Sequence, residues 1–378
     1  MLRQIYINEN VLDAAKERVS KIFDEFENVC VSISGGKDST VTAHLVLSEA
    51  NRRGRQASVF FLDEEVDYAA TIDQVKYIMF DMFPDAAAPV WYQFPFHLTN
   101  ATSLTEGQLI AWEPGKHKVW MRPKDPRSIH AIPWDKSTVT VRNKVKGFGF
   151  YDVLENFESH RENTCFCVGL RATESPNRWR AVAKNPGYID SHGDPWFWCT
   201  KLKNNCISAY PIYDFNFSDV WRYIYENGLR YNKMYDYMWK KGMHLQEIRV
   251  SSLIHEKSFK ALTELPSFEP KTYDKLLARI DGIAVGNIYG KDPVMMKARK
   301  LPKNYKSWME YRDFLLTTYP DKEKLPIFLK RFARQLNNNY VARQQCRQLI
   351  LNDYENDLPI KNEEDPRIKT LEKWRNLL

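Results

Sequence analysis

The sequence predicts an α/β protein with a five-stranded, parallel, doubly wound sheet and a smaller, mainly α-helical C-terminal domain. Three observations lead to this fold class. Short β-branched runs alternate with helical spacing up to residue 232, which is typical of right-handed βαβ units. Beyond about residue 236 only helical spacing remains, interrupted by prolines. The chain has 378 residues, which is more than a single hydrophobic core usually supports.

Five short apolar runs are the predicted strands, and amphipathic segments lie between them. The predicted strands are Val29–Ile33, Ser58–Asp63, Val90–Phe96, Cys165–Leu170 and Ile207–Ile212. The predicted helices are 11–27, 38–50, 67–82, 151–159 and 218–227. Pro95 interrupts the third strand and therefore indicates a position at or near a sheet edge. Ser218 stands at the start of the last of these helices and is expected to cap it.

Residues 99–150 interrupt this alternation. Prolines, glycines and three tryptophans are mixed there with basic residues. A connection of that length is usually functional, so we interpret the segment as a flap or insertion. The predicted domains are therefore 1–240, which contains the flap, and a basic helical domain over 241–378.

The net charge of +7 is unevenly distributed along the chain. Residues 291–351 carry 14 Lys and Arg against 5 Asp and Glu, and residues 116–146 carry 9 against 2. Such basic regions favour nucleotide or nucleic-acid partners, although a solvated helical surface explains the charge equally well. Trp112, Trp120 and Trp134 among these cations suit stacking on single-stranded nucleic acid or a lid over a nucleotide.

Composition also bears on the compartment. No apolar run is long enough for a transmembrane helix, and the first residues lack the apolar stretch of a secretory signal. Six cysteines in 378 residues are too few for a disulfide scaffold. We therefore expect a cytoplasmic protein with reduced thiols and no membrane partner.

The segment Ser34–Thr40, Ser-Gly-Gly-Lys-Asp-Ser-Thr, carries the clearest chemical signal. It lies between the first predicted strand and the next helix, where open α/β sheets bind ligands. Two glycines let the backbone approach a phosphate, and successive N–H groups at a helix N-terminus attract negative charge. Hydroxyl groups and the Lys37 cation add further donors. The segment therefore predicts a phosphate-binding loop.

Two other phosphate loops do not fit this segment. A Walker A loop requires Gly-x-x-x-x-Gly-Lys-Ser/Thr, whereas Asp38 follows Lys37 and Val31 occupies the first glycine position. The dinucleotide fingerprint Gly-x-Gly-x-x-Gly is also absent from the sequence. Ser-Gly-Gly-x-Asp-Ser after a β-branched strand instead resembles the PP-loop of the adenine nucleotide α-hydrolases. That class includes ATP pyrophosphatases, tRNA thiolases and sulfonucleotide reductases.

Two further motifs extend the resemblance. Gly169–Arg178 fits Gly-x-Arg-x-x-Glu-Ser-x-x-Arg, which resembles the arginine loop of phosphoadenosine phosphosulfate (PAPS) reductases. The strand at Tyr210–Phe215, the helix Asp219–Ile224 and the turn Gly228–Asn232 follow in the order found in that family. The chain is therefore similar to the PAPS reductase-like family, in a branch with a long helical C-terminus. The resemblance implies a HUP-like parallel sheet that carries a PP-loop.

The resemblance and the residue chemistry together give the candidate site. Guanidinium groups suit phosphate or sulfate oxygens, and Arg171 and Arg178 can face the same anion. The candidate catalytic residues are Lys37, Asp38, Arg171 and Arg178. The candidate nucleotide-binding residues are Ser34, Gly35, Gly36, Lys37, Asp38, Ser39, Thr40, Asp63, Glu64, Gly169, Arg171, Glu174, Ser175, Arg178 and Arg249. Asp63 and Glu64 equally fit a polar strand end. For Arg249 an ordinary helix start, capped by Ser251 or Ser252, is slightly favoured over a nucleotide contact.

The resemblance does not extend to the reductase chemistry. Sulfonucleotide reductases resemble one another in a Glu-Cys-Gly-Leu-His segment that this sequence lacks. The cysteine spacing of their cluster-bearing members is missing as well. Cys346 is the single thiol of the C-terminal region, in a segment with the spacing of a basic helix. A thiol-dependent PAPS reductase is therefore the less favoured alternative.

Four cysteines and two histidines between residues 160 and 206 raise the question of a zinc site. Cys165 and Cys167 fall within a predicted strand, however, and the spacing is not Cys-x-x-Cys. Neither zinc nor an iron–sulfur cluster is expected, and no metal-ligating residues are predicted. Mg²⁺ is expected as the counter-ion of the nucleotide.

These observations favour an enzyme that binds ATP or PAPS. The first hypothesis is cleavage of the ATP α–β bond with adenylyl transfer, including a role in nucleic-acid modification. The alternative is a non-catalytic nucleotide sensor, because uncharacterised relatives with a long helical C-terminus resemble transcriptional co-activators and are often encoded beside ParB-like proteins. Residues 116–146 and 291–351 are candidate nucleic-acid surfaces, and a ParB-like protein is a candidate partner.

Overall fold

The computed structural model describes residues 8–103, 106–132, 148–182, 186–244, 248–255, 258–283, 301–356 and 358–362. They divide into two units. The first unit contains the described residues up to Phe96, together with Trp112–Pro114 and Arg122–Ser251. The second unit contains His97–Ala111, Gly115–Met121 and the described residues from Ser252 onward.

Short strands recur along the described residues up to Ala209. They are β1 (Asn28–Ser32), β2 (Ala57–Leu62), β3 (Ala87–Tyr92), β4 (Phe96–Thr99), β5 (Gln108–Ala111), β6 (Thr164–Val168), β7 (Tyr188–Ile189), β8 (Pro195–Trp196), β9 (Cys199–Lys201) and β10 (Ile207–Ala209). Six of them form one sheet in the order β3-β2-β1-β6-β10-β9, while β4 pairs with β5 and β7 pairs with β8.

The central sheet confirms the predicted α/β class. Strand β1 lies between β2 and β6 and is parallel to both, so that Val31 is opposite Val59 on one side and Cys167 on the other. Strand β3 is parallel to β2 at one edge of the sheet, as predicted for the third strand, and β10 is parallel to β6. Strand β3 ends at Tyr92, however, so Pro95 lies beyond it and does not interrupt it. Because these five strands are parallel, their carboxyl ends all lie at the same end of the sheet, which we call its carboxyl edge.

The sixth strand, β9, was not predicted. It runs antiparallel to β10, and Ala209 lies opposite Cys199. Asn204 and Asn205 connect the two strands, both with positive φ angles of 53° and 56°, as expected for a tight hairpin turn. Three residues are too few to produce a periodic pattern in the sequence, so only the Asn-Asn pair could have indicated this strand.

Helices flank these strands in the first unit and dominate the second. In the first unit they are α1 (Val11–Glu25), α2 (Lys37–Arg52), α3 (Ala69–Lys76), α4 (Phe150–Ser159), α5 (Pro176–Val182), α6 (Phe217–Glu226) and α7 (Met234–Lys240). In the second unit they are α8 (Phe259–Phe268), α9 (Pro270–Arg279), α10 (Trp308–Thr318), α11 (Leu325–Phe332) and α12 (Asn339–Ile350).

Two helix boundaries differ from the prediction. The helix predicted to end at residue 82 changes after α3 to a π-helical turn over Tyr77–Asp81. Helix α6 is capped by Asn216 rather than Ser218, because the Asp219 side chain accepts a hydrogen bond from the Asn216 backbone at 2.7 Å. This capping box places Ser218 inside the first turn.

Alternating side chains of the sheet pack against helices on both faces. Val59 and Phe61 of β2 belong to a buried apolar cluster with residues of α1 and α2, such as Ile22 and Val46. The intervening Phe60 points the other way and stacks on Phe157 of α4, with ring centroids 3.8 Å apart. The period of two along a strand therefore produces the doubly wound architecture.

The second unit has helical cores of its own. One buried cluster contains Tyr311, Cys346 and Ile350 from α10 and α12. A second contains Phe328 and Tyr354, among others. The unit confirms the predicted helical C-terminal region, although β4 and β5 also contribute to it. The boundaries 1–240 and 241–378 stay a prediction, because a unit of structure is not a test of independent folding.

The prolines of this unit do not all interrupt its helices, in contrast to the sequence interpretation. Pro266 lies within α8 instead of interrupting it, whereas Pro270 and Pro326 occupy first turns, where proline costs no hydrogen bond.

Residues 133–147 of the predicted flap and residues 284–300 of the predicted basic domain lie outside the described residues. Where the chain is described, none of its helices is both long enough and apolar enough to cross a lipid bilayer.

Candidate functional site

The loop between β1 and α2 lies at the carboxyl edge of the sheet and requires its first glycine. Gly35 has a φ angle of +66°, which only glycine adopts readily. A Cβ atom at this position would lie 2.9 Å from the backbone oxygen of Thr71 and 2.9 Å from its Cγ2 atom. Gly36 is the N-cap residue of α2, and no side chain caps the helix there.

Hydroxyl groups fix the shape of this loop from within. The Ser39 hydroxyl accepts a hydrogen bond from the Ser34 backbone N–H at 3.2 Å and donates to the Gly36 carbonyl at 3.0 Å. Thr40 donates to the same carbonyl at 2.9 Å. Ser39 and Thr40 therefore hold the backbone around Gly36, which is a different use of their hydroxyls from the predicted direct contact with phosphate.

Five consecutive backbone N–H groups follow one another at the start of α2. Among the residues that the structure describes, the N–H groups of Gly35, Gly36, Asp38 and Ser39 find no hydrogen-bond acceptor. The fifth, that of Lys37, donates to the hydroxyl of Tyr235 at 3.0 Å. We call the segment Gly35–Ser39 the N–H cradle. Such a row of donors at a helix N-terminus attracts anions.

Two buried cations meet at Asp38, beside the N–H cradle. The Asp38 carboxylate accepts from Lys37 Nζ at 2.6 Å and from Arg171 Nε at 2.5 Å. Lys37 and Arg171 are each 5 % exposed. Burial lowers the pKa of Lys37, and the adjacent Asp38 opposes this shift. The ammonium group also lies 5.5 Å from the Phe217 ring and 5.7 Å from the Tyr235 ring.

The segment after β6 supplies the arginines. Arg171 also donates to Glu174 at 2.8 Å, and Glu174 forms an ion pair with Arg178. Burial lowers the pKa of Arg178, Asp38 opposes this shift, and the positive charges of Arg171 and Arg249 reinforce it. Arg249 therefore lies within electrostatic range of this group. Its backbone is not helical, so it does not begin the ordinary helix that the sequence also allowed.

Gly169 and Ser175 have structural reasons for their positions. A Cβ atom on Gly169 would lie 2.9 Å from the backbone of Asp38, so this glycine allows the end of β6 to approach α2. The Ser175 hydroxyl accepts from the Arg178 backbone N–H at 3.2 Å. Both residues therefore place the arginine segment beside the cradle.

The structure thus brings most of the predicted site residues together. The cations of the group are Lys37, Arg171, Arg178 and Arg249, and its carboxylates are Asp38 and Glu174. With four cations against two carboxylates, the group has an excess of positive charge beside the N–H cradle. Such a combination attracts phosphate or sulfate oxygens.

Asp63 and Glu64 follow β2 at the same edge of the sheet. The Asp63 carboxylate is completely buried and accepts from Trp91 at 2.9 Å, from Gln93 at 2.8 Å and from Arg122. The Glu65 backbone N–H also donates to it, at 2.9 Å. These donors come from the loop after β2, from the end of β3 and from the segment around Arg122, and none comes from the cradle. Glu64 is half-buried and, with Asp63, reinforces the rise in the pKa of Asp67 that burial causes.

Sequence reasoning missed Tyr235 and the role of Asn232. Asn232 donates to the Gly35 carbonyl at 3.2 Å and to the Thr71 hydroxyl at 3.0 Å. Asn232 ends the Gly228–Asn232 turn, so a motif in the sequence already pointed to this position. No pattern in the sequence pointed to Tyr235, because its contact with Lys37 joins residues 198 positions apart.

The cysteines lie inside the fold rather than at its surface. All six are buried and not disulfide-bonded. Burial raises the pKa of Cys30, Cys199 and Cys346 to about 12. In the described parts of the chain, no group of three or more His, Cys, Asp or Glu side chains is arranged to hold a metal ion.

Comparison with known proteins divides the chain at residue 241. Residues 153–241 match the family described as "Phosphoadenosine phosphosulfate reductase domain", and residues 242–341 match "Domain of unknown function (DUF3440)". The first match confirms the predicted resemblance to the PAPS reductase-like family. It includes Arg171, Arg178 and Tyr235 but begins after the glycine loop.

The chain is also similar to a curated relative and to a solved structure. The uncharacterized protein YbdN of Escherichia coli (strain K12) is 26 % identical over 368 residues, which cover 91 % of this chain and 89 % of that protein. A crystal structure of PAPS reductase from Candida auris, in complex with phosphate, covers 62 % of this chain and 93 % of that one. The identity to that structure is 14 % and the TM-score is 0.31.

Proposed function

We propose that this chain binds an adenine nucleotide, with the phosphate groups held by the N–H cradle. The observation that carries the proposal is the row of backbone donors Gly35–Ser39 beside Lys37, Arg171 and Arg178. A phosphate accepts several hydrogen bonds at once and carries the charge that these cations neutralise. The resemblance of the loop to the PP-loop gives the nucleotide class.

The reaction we propose is cleavage between the α and β phosphates of ATP, with adenylyl transfer to an acceptor such as a nucleic acid. In this reaction the cradle holds the pyrophosphate group. Lys37, Arg171 and Arg178 stabilise the negative charge that develops on the oxygens. Asp38, which binds two of these cations, has to share them with the phosphate when the nucleotide enters.

PAPS is the alternative nucleotide. The name of the family that residues 153–241 match favours a sulfonucleotide, and arginine forks bind sulfate as readily as phosphate. Reduction of PAPS by a thiol is not part of the proposal. Cys346 is fully buried and its pKa is raised to about 12, so it offers no thiolate near neutral pH.

Mg²⁺ fits this site only together with the nucleotide. The carboxylate nearest the cradle, Asp38, is already bound to Lys37 and Arg171, so the described residues beside the cradle form no carboxylate cage. Mg²⁺ is commonly held by phosphate oxygens and one or two carboxylates, and Asp38 is the residue that would complete this set. The ion would supply charge neutralisation for the phosphate oxygens.

Calorimetric titration of the purified protein with ATP, PAPS and inorganic pyrophosphate tests the proposal. Gly36→Val should abolish binding, because the side chain would occupy the space next to the cradle. The φ angle of −86° at Gly36 permits valine, so the variant should fold. Gly115→Val is the matched control, since a Cβ there meets open space. Unchanged affinity in a folded Gly36→Val variant would contradict the proposal, and pyrophosphate release with ATP would separate an enzyme from a sensor.

A nucleic-acid or ParB-like partner is a second proposal, for the basic C-terminal region. Lys330 and Arg334 are exposed and four residues apart, and Lys303 and Lys306 are exposed as well. Arg331 is different, because it donates to Gln348 and to the carbonyls of Asp353 and Tyr354. Reversing its charge would destabilise the unit rather than test binding.

The double variant Lys330→Glu, Arg334→Glu leaves Arg331 intact and is the appropriate test. Fluorescence anisotropy with a labelled DNA duplex at two salt concentrations should show weaker binding in the variant and a steep fall with salt in the wild type. Equal affinity in both proteins would remove the nucleic-acid proposal. A pull-down with a ParB-like protein then decides the co-activator alternative.

A further inference from the structure

Tyr235 is placed at the N–H cradle by two independent supports. Its ring packs edge-on against Trp221, with centroids 5.4 Å apart and an angle of 88°. Helix α7 begins two residues after Asn232, whose side chain accepts from the Met234 backbone N–H at 3.0 Å and donates to the Gly35 carbonyl. The start of α7 is therefore fastened to the glycine loop, and the position of the Tyr235 hydroxyl is fixed relative to the cradle.

The hydroxyl of Tyr235 still has its own hydrogen to donate. It accepts the Lys37 backbone N–H, so its own O–H is available as a donor. Within the described residues no acceptor receives that O–H. Tyr235 is 5 % exposed, and a buried donor without a partner is costly. Burial also raises the pKa of Tyr235, so the hydroxyl keeps its proton.

The surroundings of this hydroxyl indicate what it binds. It lies 3.4 Å from the position of a Cβ atom on Gly36, and therefore beside the row of backbone N–H groups. The charges of Asp38, Arg171 and Arg249 all act electrostatically on it. An acceptor that reaches the cradle and carries negative charge is an oxygen of a phosphate group.

We infer that Tyr235 is a phosphate-binding residue, which donates its hydroxyl hydrogen to an oxygen of the phosphate held in the cradle. This inference rests on the proposed function and adds a neutral donor to the cations of the site. Because the Lys37 N–H donates to the same hydroxyl, it polarises the O–H bond and strengthens the hydrogen bond to phosphate. Tyr235 thereby couples the start of α2 to the ligand.

The test compares two tyrosines that flank the same tryptophan. Tyr231 packs edge-on against Trp221 at 5.1 Å, but its hydroxyl donates to Asp236 at 2.9 Å. Tyr235→Phe and Tyr231→Phe each remove one hydroxyl hydrogen bond next to Trp221. Calorimetric titration with inorganic pyrophosphate should show affinity at least about tenfold weaker in Tyr235→Phe, as for the loss of a hydrogen bond to a charged group. Tyr231→Phe should bind like the wild type.

Thermal unfolding without ligand separates a binding role from a structural one. The two variants should have melting temperatures close to each other, so that only the pyrophosphate-dependent stabilisation differs. Equal pyrophosphate affinity in wild type and Tyr235→Phe, with binding lost in Arg171→Gln, would overturn this inference and leave the proposed function standing. Absence of pyrophosphate and nucleotide binding in the wild type would overturn both.

Discussion

Two neighbouring loops at the carboxyl edge of the sheet use their polar groups in opposite ways. The loop after β1 presents backbone donors, and four of them find no acceptor among the described residues. The loop after β2 presents a buried carboxylate, Asp63, which is surrounded by donors from Trp91, Gln93 and Arg122. The two strands are adjacent and parallel, so position in the fold alone does not separate the two loops.

The difference lies in whether the protein satisfies its own polar groups. A buried carboxylate with several hydrogen bonds stabilises the fold and has little capacity left for a ligand. A row of backbone donors without acceptors, in contrast, remains available to form hydrogen bonds with a ligand. From this comparison we propose a structural role for Asp63 and a binding role for the N–H cradle, and each role can be tested.

The largest expected effect is that of Asp63→Ala on stability. The substitution leaves the Trp91 and Gln93 donors and the Arg122 cation without their buried acceptor. Removal of one partner from a buried ion pair costs about 3–5 kcal/mol, and urea denaturation should show a loss of this size in the free energy of unfolding. The exposed Asp85 offers a matched control, since Asp85→Ala should leave stability nearly unchanged. A loss below about 0.5 kcal/mol for Asp63→Ala, within the usual range for surface changes, would contradict the structural role of Asp63.

The next effect concerns the two glycines of the cradle. Gly35→Ala should lower the free energy of unfolding by about 1–3 kcal/mol, because alanine is strained at a positive φ angle and its Cβ would clash with Thr71. Gly36→Ala should cost much less, since its backbone is extended and its nearest side-chain neighbours are 3.4 Å away. Thermal unfolding of both variants measures the contrast. Equal losses would show that the two glycines share one structural role.

A smaller effect separates binding from stability at Lys37. Lys37→Met should weaken pyrophosphate binding at least about tenfold, as for the loss of a charged hydrogen bond. The free energy of unfolding should change little, because Asp38 keeps its ion pair with Arg171 and the loss of one cation reduces the excess of positive charge in this group. Calorimetry and urea denaturation on the same preparation give both quantities. A destabilised variant with unchanged affinity would make Lys37 a structural residue like Asp63.

The sequence predicted one loop well and the other poorly, for a physical reason. The cradle is a local feature, formed by consecutive residues between a strand and a helix, so Ser34–Thr40 revealed it. The environment of Asp63 depends on Trp91, Gln93 and Arg122, between 28 and 59 positions away. Neither spacing nor composition shows which donors will reach a carboxylate at the end of a strand.

The same reasoning applies to the rest of the site. Arg171, Glu174 and Arg178 lie within one motif and could be predicted as a group. Tyr235 could not, because it reaches the cradle through the packing of α7. In the basic C-terminal region the sequence did not distinguish Arg331, which binds backbone carbonyls, from the exposed Lys330. Charge could be counted in the sequence, but its accessibility depends on the fold.

The smallest expected effect is a pH dependence of anion binding. Burial lowers the pKa of Lys37 in the ligand-free protein, and a bound phosphate would raise it again by adding negative charge. The bound state then has the higher pKa, so binding takes up a proton at alkaline pH. Affinity for pyrophosphate should therefore be highest below the lowered pKa of Lys37 and fall as the pH rises through it.

The Lys37→Arg variant keeps its positive charge at all these pH values and should show a flatter profile. Comparison with this variant also corrects for the ionisation of pyrophosphate itself. Calorimetric titrations of both proteins across the alkaline range make the measurement, and parallel profiles would mean that Lys37 does not contact the anion.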